Sequence, residues 1–165
     1  RGLVGSEMCI RDSSSSGRIV QMQTAELRTS IQSTATEIEV LTKAITPKAA
    51  ANYIILFAMT GTMSNENHCG VHFYRDSTKL TVSSGGSTGN WIATAAFDNN
   101  NFGSNGNASY GETTMMHIDH PNTTNQVTYK ISFAQTGGNS NLYVNRSPSA
   151  YQGSMTRLIL MEIAV

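Results

Sequence analysis

The chain has 165 residues, a length typical of a single domain. Eleven basic side chains balance eleven acidic ones, and only 13% of the residues are charged, so no excess of positive charge is available to neutralise nucleic-acid phosphates. A run of about 18 apolar residues, which a transmembrane helix needs, is also absent from the sequence, so we expect neither a nucleic-acid partner nor insertion into a membrane.

The first segment, residues 1–13, shows no strand or helix pattern. It is dense in charge and lacks the apolar stretch and the cleavage site of a secretory signal. Residues 3–12 resemble, without a mismatch, the conceptual translation of a transposase-type sequencing adapter. We therefore interpret residues 1–13 as an artefact outside the fold and residues 14–17 as a serine-rich linker. Residues 18–165 are then expected to form one β-sandwich domain, the C-terminal head of a longer protein.

From residue 18 onward, short apolar segments alternate with turn residues, which is the spacing of an antiparallel sandwich. Residues 18–25 are the first predicted strand, and residues 25–36 could hold a short helical turn. In residues 37–42, Ile38 and Val40 share one face and the glutamates 37 and 39 the other.

Residues 53–59, Tyr-Ile-Ile-Leu-Phe-Ala-Met, form an unbroken apolar run. Such a run is more apolar than one face of a sandwich requires. It predicts a central strand that is covered on both faces or that joins a subunit contact.

Later segments repeat the strand pattern. Further strands are predicted over residues 69–74, 79–83, 91–97, 113–120, 127–133, 142–145 and 155–163. Residues 127–133 have the cleanest inward face, which consists of Val127, Tyr129, Ile131 and Phe133. With about nine or ten strands and no strong helix signal, the prediction is an all-β, antiparallel two-sheet sandwich of the jelly-roll type.

The longest predicted loop, residues 98–111, is rich in asparagine and glycine. Long loops in compact domains are often functional, and aromatic rings among amide groups suit sugar binding. The candidate ligand-binding residues are Asn100, Asn101, Phe102, Asn105 and Tyr110. The alternative is a solvated loop or a contact between subunits.

The remaining polar signals are interpreted as structural. Roles in turns are assigned to Arg75, Asp76, Asp119, Pro121, Asn145 and Arg146. His117 and Asp119 share one face of a strand, but a zinc site needs three or four convergent ligands, so we expect no metal and no cofactor. Cys69 is interpreted as a buried small hydrophobe. It has no disulfide partner once Cys9 is assigned to the adapter.

Seven short motifs follow one another along the chain: Gly17-Arg-Ile-Val-Gln21, Ile45-Thr-Pro47, Tyr74-Arg-Asp-Ser-Thr78, Asp119-His-Pro-Asn-Thr-Thr124, Val127-Thr-Tyr-Lys130, Tyr143-Val-Asn-Arg-Ser147 and Leu160-Met-Glu-Ile-Ala164. Their order resembles a family of small C-terminal domains of marine bacteriophage tail-fibre and other virion structural proteins. The resemblance covers residues 17–165. His120 departs from it, because the family more often has a small residue before this proline.

The resemblance implies a homotrimeric β-sandwich similar to the globular heads of the complement and tumour-necrosis-factor type. Such a head is made in the host cytoplasm, lies on the outer surface of the virion and binds a host-surface glycan or protein without catalysis. The composition agrees with this, since 66 of the 165 residues are Ser, Thr, Asn or Gly.

Two alternatives belong to other classes of protein. A secreted eukaryotic complement-like or lectin-like head would use the N-glycosylation patterns that begin at Asn107, Asn122 and Asn145. A virion-associated glycan depolymerase would need two carboxylates facing each other across a groove. The only local pair, Glu37 and Glu39, is predicted to lie on a solvated strand face.

Overall fold

In the computed structural model, residues 16–61, 63–65, 69–80, 95–97, 109–135, 141–146 and 153–165 are described. These residues form β-strands and no helix, which confirms the all-β prediction. The described part of the chain therefore contains no helix that is long and apolar enough to cross a membrane. The strands are β1 Ile19–Leu27, β2 Ile31–Ser33, β3 Glu37–Ile45, β4 Tyr53–Met59, β5 Met63–Asn65, β6 Cys69–Arg75, β7 Thr78–Leu80, β8 Ala95–Phe97, β9 Ser109–Gly111, β10 Thr114–Asp119, β11 Val127–Gln135, β12 Leu142–Val144 and β13 Thr156–Ile163.

The strands form two large sheets and one small sheet. Sheet I has the order β1-β13-β4-β10, and sheet II has the order β3-β11-β6-β7, with β8 also paired to β6. The small sheet III has the order β2-β12-β5-β9. Every pair of neighbouring strands is antiparallel. Strands that are distant in sequence become neighbours because the chain repeatedly crosses between sheets I and II, and this is the connectivity of a jelly roll.

The core lies between sheets I and II. Alternate residues of each strand point inward, and these are fully buried in β4, β11 and β13: Ile54, Leu56, Tyr129, Ile131, Phe133, Leu158 and Leu160. Burying each large apolar side chain contributes roughly 1.5–3 kcal/mol. The predicted inward face of residues 127–133 is therefore confirmed.

Three details differ from the sequence prediction. The described residues contain thirteen strands rather than nine or ten, because β2, β5 and β9 have only three residues each and are too short to show alternation. Residues 25–36 form no helical turn: β1 continues to Leu27, and β2 pairs with β12. Strand β3 continues to Ile45 instead of ending at residue 42, since its pairing with β11 begins at Val127 opposite Ile45.

Candidate functional site

The outer face of sheet I is apolar. In β4, Ile55 and Phe57 alternate with the buried core residues, and they are only half-buried. Residues directly opposite each other on paired strands share a face. Met22, Met161, Ile55 and Ile118 therefore form one row across the sheet.

A second row runs parallel to the first and consists of Thr24, Ile159, Phe57 and Met116. The residues on the edge strands are strongly exposed, with 58% for Met22 and 60% for Met116. We call this surface the apolar face and define it as Ile19, Met22, Ile55, Phe57, Met59, Met116, Ile118, Ile159 and Met161. An exposed apolar patch with a polar rim is typical of a protein–protein contact site.

One end of the apolar face carries a small ion cluster. The Glu26 carboxylate accepts hydrogen bonds from Arg28 Nη2 at 2.7 Å and from Arg157 Nη2 at 2.5 Å. These two guanidinium groups hold the pKa of Glu26 below its usual value. Arg157 Nε is buried without a hydrogen-bond partner among the described residues.

The outer face of sheet II is polar and has Tyr74 at its centre. The Glu37 Oε1 atom accepts hydrogen bonds from Tyr74 Oη at 2.7 Å and from Ser132 Oγ at 2.5 Å. Lys79 Nζ lies 3.5 Å from Glu37 Oε2. Burial alone would raise the pKa of Glu37, but the bonds from Ser132 and Tyr74 outweigh burial and lower it. Burial and the Glu37 carboxylate raise the pKa of Tyr74.

The predicted turn residues Arg75 and Asp119 connect the two large sheets. Arg75 Nη1 lies 2.9 Å from each of the two Asp119 carboxylate oxygens. Tyr129 Oη donates to Asp119 Oδ2 at 2.6 Å. Asp119 ends β10 in sheet I, whereas Arg75 and Tyr129 belong to sheet II. The cluster is consequently a structural link between the sheets. The sequence did not reveal it, because Arg75 is distant in sequence from the other two residues and Asp119 and Tyr129 belong to different sheets.

Asp76 occupies a tight turn with the positive backbone dihedral φ of 51°. Its carboxylate accepts a hydrogen bond from the Thr128 backbone N–H at 2.9 Å. Pro121 precedes Asn122, which also has a positive φ, of 52°. Arg146 lies with its guanidinium carbon 5.2 Å from the centre of the Tyr143 ring.

Asn145 follows β12 at a bend with a positive φ of 58°, and its side chain is buried, with an exposed fraction of 2%. Its amide nitrogen donates to the carbonyls of Leu27 and Thr29 at 2.8 and 3.0 Å. Its amide oxygen accepts from Thr156 Oγ1 at 2.8 Å. A glycan on this amide would break these bonds, so the glycosylation pattern at Asn145 is incompatible with the folded structure. Asn122 is exposed.

Sequence reasoning overlooked Glu162, whose side chain is fully buried in β13. Its carboxylate accepts hydrogen bonds from Gln21 Nε2 at 2.5 Å, from Asn52 Nδ2 at 2.6 Å and from the backbone N–H of Lys48 at 2.7 Å. The sequence did carry a signal for this burial. Glu162 lies two and four positions after Leu160 and Leu158, so it faces the same side of the strand as these inward-facing residues. Burial would raise the pKa of Glu162, but the hydrogen bonds lower it.

Only part of the predicted ligand-binding loop lies among the described residues. Asn100, Asn101, Phe102 and Asn105 lie outside the described residues. Tyr110 belongs to β9, where it pairs with Ser64 of β5. Among the described residues, no three His, Cys, Asp or Glu side chains converge on a point that could hold a metal ion.

Comparisons with known proteins add no identity to this geometry. A scan against models of known protein families finds no match, and a search of the curated proteins finds none either.

Proposed function

We propose that the chain is a non-enzymatic head domain of a phage tail fibre or virion decoration protein. It assembles as a homotrimer through the apolar face and binds a host-surface glycan or protein. The observation that carries the proposal is the apolar face of sheet I, where exposed Met116 and Ile118 continue a surface that includes half-buried Phe57 and Ile55.

The chemistry of this face supports a contact with another protein chain. Methionine and aromatic residues are enriched in the buried cores of interfaces, and charged residues are moved to the rim. The apolar face follows this arrangement, because the ion cluster of Glu26, Arg28 and Arg157 lies at one end. At the other end, the rings of Tyr53 and His120 are in contact, with their centres 5.6 Å apart.

The choice of a second and third copy of the same chain comes from the resemblance to trimeric heads. A closed ring forms when one patch of each subunit contacts a different patch of its neighbour. The two edges of the apolar face differ in the way that such a ring requires. On β10 the edge presents Met116 and Ile118, whereas on β1 it presents Met22 beside Thr24.

The described carboxylates support adhesion rather than hydrolysis. A glycosidase needs a carboxyl group with a raised pKa as its general acid, opposite a second carboxylate. Glu26, Glu37 and Glu162 all have lowered pKa values, which result from their hydrogen bonds and ion pairs. Asp119 is engaged by Arg75 and Tyr129.

Sedimentation equilibrium of the full chain tests the assembly. We expect a particle of three times the 17.8 kDa chain mass. A stable monomer at micromolar concentration contradicts the trimer. A glycan array tests the activity: binding without turnover agrees with adhesion, whereas release of a cleaved product overturns it. The uninterrupted gene is expected to lie beside genes for virion structural proteins, and eukaryotic secretory genes at that position contradict the phage origin.

A further inference from the structure

A groove on the outer face of sheet II lies on the opposite side of the sandwich from the apolar face. Its volume is about 160 Å³, and it is lined by Glu37, Ile38, Glu39, Tyr74, Lys130 and Ser132. The groove lies at an irregularity of the sheet. Glu39 pairs with Ser132 and Leu41 pairs with Ile131, so that Val40 is an extra residue in β3. Such bulges redirect side chains and are common beside binding sites.

The walls of the groove are held in place by bonds within the sheet. Tyr74 donates its hydroxyl hydrogen to Glu37, which also accepts from Ser132. The ammonium groups of Lys79 and Lys130 lie 5.3 and 5.8 Å from the centre of the Tyr74 ring. These contacts fix the ring before a ligand arrives, and such preorganisation reduces the entropy lost on binding.

The mouth of the groove offers a hydrogen-bond acceptor beside a donor. The carboxylate of Glu39 and the ammonium of Lys130 are separated by 3.6 Å, and the side chain of Glu39 is 53% exposed. A hydroxyl group both donates and accepts. Two neighbouring hydroxyls of a sugar can therefore donate to Glu39 and accept from Lys130, while the apolar C–H groups of the sugar ring contact Tyr74.

The charges of the surrounding side chains decide which class of ligand fits. Glu37 and Glu39 are balanced by Lys79 and Lys130. Because each carboxylate is already paired with an ammonium group, a charged sugar that approaches its opposite charge also meets a like charge, whereas a neutral sugar meets no such repulsion. The volume of the groove is below the range of about 300–1,000 Å³ that is usual for drug-sized ligands, so it has room for a single ring.

From these observations we propose that the groove binds one neutral pyranose ring of a glycan through Glu39, Lys130 and Tyr74. This inference deepens the proposed adhesion function and rests on it for its biological role. Because the groove and the apolar face lie on opposite sides of the sandwich, a trimer assembled through the apolar face keeps three grooves open. Three weak sites on one rigid head increase the overall affinity for a multivalent surface.

The test is an NMR titration of the full ¹⁵N-labelled chain with methyl glycosides of glucose, mannose and galactose and with N-acetylglucosamine. We expect saturable shifts of the Glu39, Lys130 and Ser132 amide signals, with a dissociation constant of about 1–10 mM for at least one of these sugars. N-acetylneuraminic acid and glucosamine, which carry a negative and a positive charge, are expected to bind about tenfold more weakly.

Two variants and one control identify the contacts. Lys130→Met removes the ammonium donor and Tyr74→Ala removes the apolar wall, and each is expected to weaken binding about tenfold or more. Lys48→Met makes the same chemical change at an exposed lysine outside the groove lining and is expected to leave binding unchanged. The backbone signals of each variant show whether it is folded.

Three results overturn the proposal. These are no saturable shift with any neutral sugar of the panel, equal binding of the charged sugars, or unchanged binding by the folded Lys130→Met variant. Sedimentation of the same samples separates this proposal from the previous one. A trimer that binds no sugar overturns only the proposal that the groove is a sugar site. A monomer that binds sugar overturns only the proposal that the chain is a trimeric head.

Discussion

Tyr129 and Asp119 lie on different sheets, and the phenol hydroxyl of Tyr129 donates to the Asp119 carboxylate at 2.6 Å. Both side chains are buried, and Arg75 neutralises the carboxylate from the side of sheet II. Burial and the nearby carboxylate raise the pKa of Tyr129, so the hydroxyl stays protonated and remains a donor. This bond joins the end of β10 to the first half of β11.

The substitution Tyr129→Phe is expected to lower the free energy of unfolding by about 1–3 kcal/mol, because the buried carboxylate of Asp119 loses one of its hydrogen-bond donors. Urea denaturation followed by circular dichroism measures this change. The matched control is Tyr74→Phe, which removes a hydroxyl from a partly exposed ring on the outer face of sheet II. If Tyr129→Phe lowers the free energy of unfolding no more than the control does, the bond between the sheets does not stabilise the fold as proposed.

Glu162→Gln is expected to lower the free energy of unfolding at neutral pH by about 1–3 kcal/mol, since the amide places a donor where three donors already converge. The pH dependence has a definite sign. Hydrogen bonds hold the folded-state pKa of Glu162 below its ordinary value. Its contribution is therefore complete above the unfolded-state pKa and is lost as the pH falls through the folded-state pKa.

Urea unfolding of the wild type and of the Glu162→Gln variant from pH 7 downward measures this linkage. The difference in the free energy of unfolding between the two proteins should shrink in the acidic range. A difference that stays constant or grows as the pH falls would show that the ionised carboxylate is not the stabilising form.

Gly61→Ala is expected to destabilise the fold by about 1–3 kcal/mol through overpacking. A Cβ at this position would lie 2.2 Å from Asn145 Oδ1 and 3.0 Å from the backbone nitrogen of Met155. Gly153→Ala is the matched control, because a Cβ there meets no atom within 4 Å. Thermal unfolding of both variants gives the comparison, and equal melting temperatures would contradict close packing around Gly61.

Met116→Lys is expected to dissociate the proposed trimer, because it places a charge at an exposed position on the β10 edge of the apolar face. Sedimentation velocity is the measurement. Asn125→Lys introduces the same charge at an exposed residue of a loop and should leave the trimer intact. A Met116→Lys variant that remains fully trimeric would place the subunit contact elsewhere.

Deleting residues 1–13 is expected to leave the melting temperature unchanged, because the segment is interpreted as a translated adapter. Differential scanning calorimetry of the full and the shortened chain checks this. A clear loss of stability would show that the segment packs against the domain.

Much of the fold could be predicted from local patterns. The inward face of β11 and the central position of β4 follow from the alternation and the unbroken apolar run in the sequence. The short strands β2, β5 and β9 were not predicted, because alternation needs more than the three residues that each contains. Residues 25–36 were misjudged for a related reason: β2 exists through its pairing with β12, which lies more than a hundred residues further along the chain.

The sequence by itself determined that this is an all-β protein with two-residue periodicity, since the orientation of neighbouring side chains is a local property of an extended chain. The tertiary structure decided which distant residues meet. Arg75, Asp119 and Tyr129 come together because the register between strands brings β6 and β11 over the end of β10. In the same way, strand order arranged scattered methionines and isoleucines into one apolar face, and the groove lies beside a single extra residue in β3. Both features depend on strand pairing across long sequence separations, which no local pattern encodes.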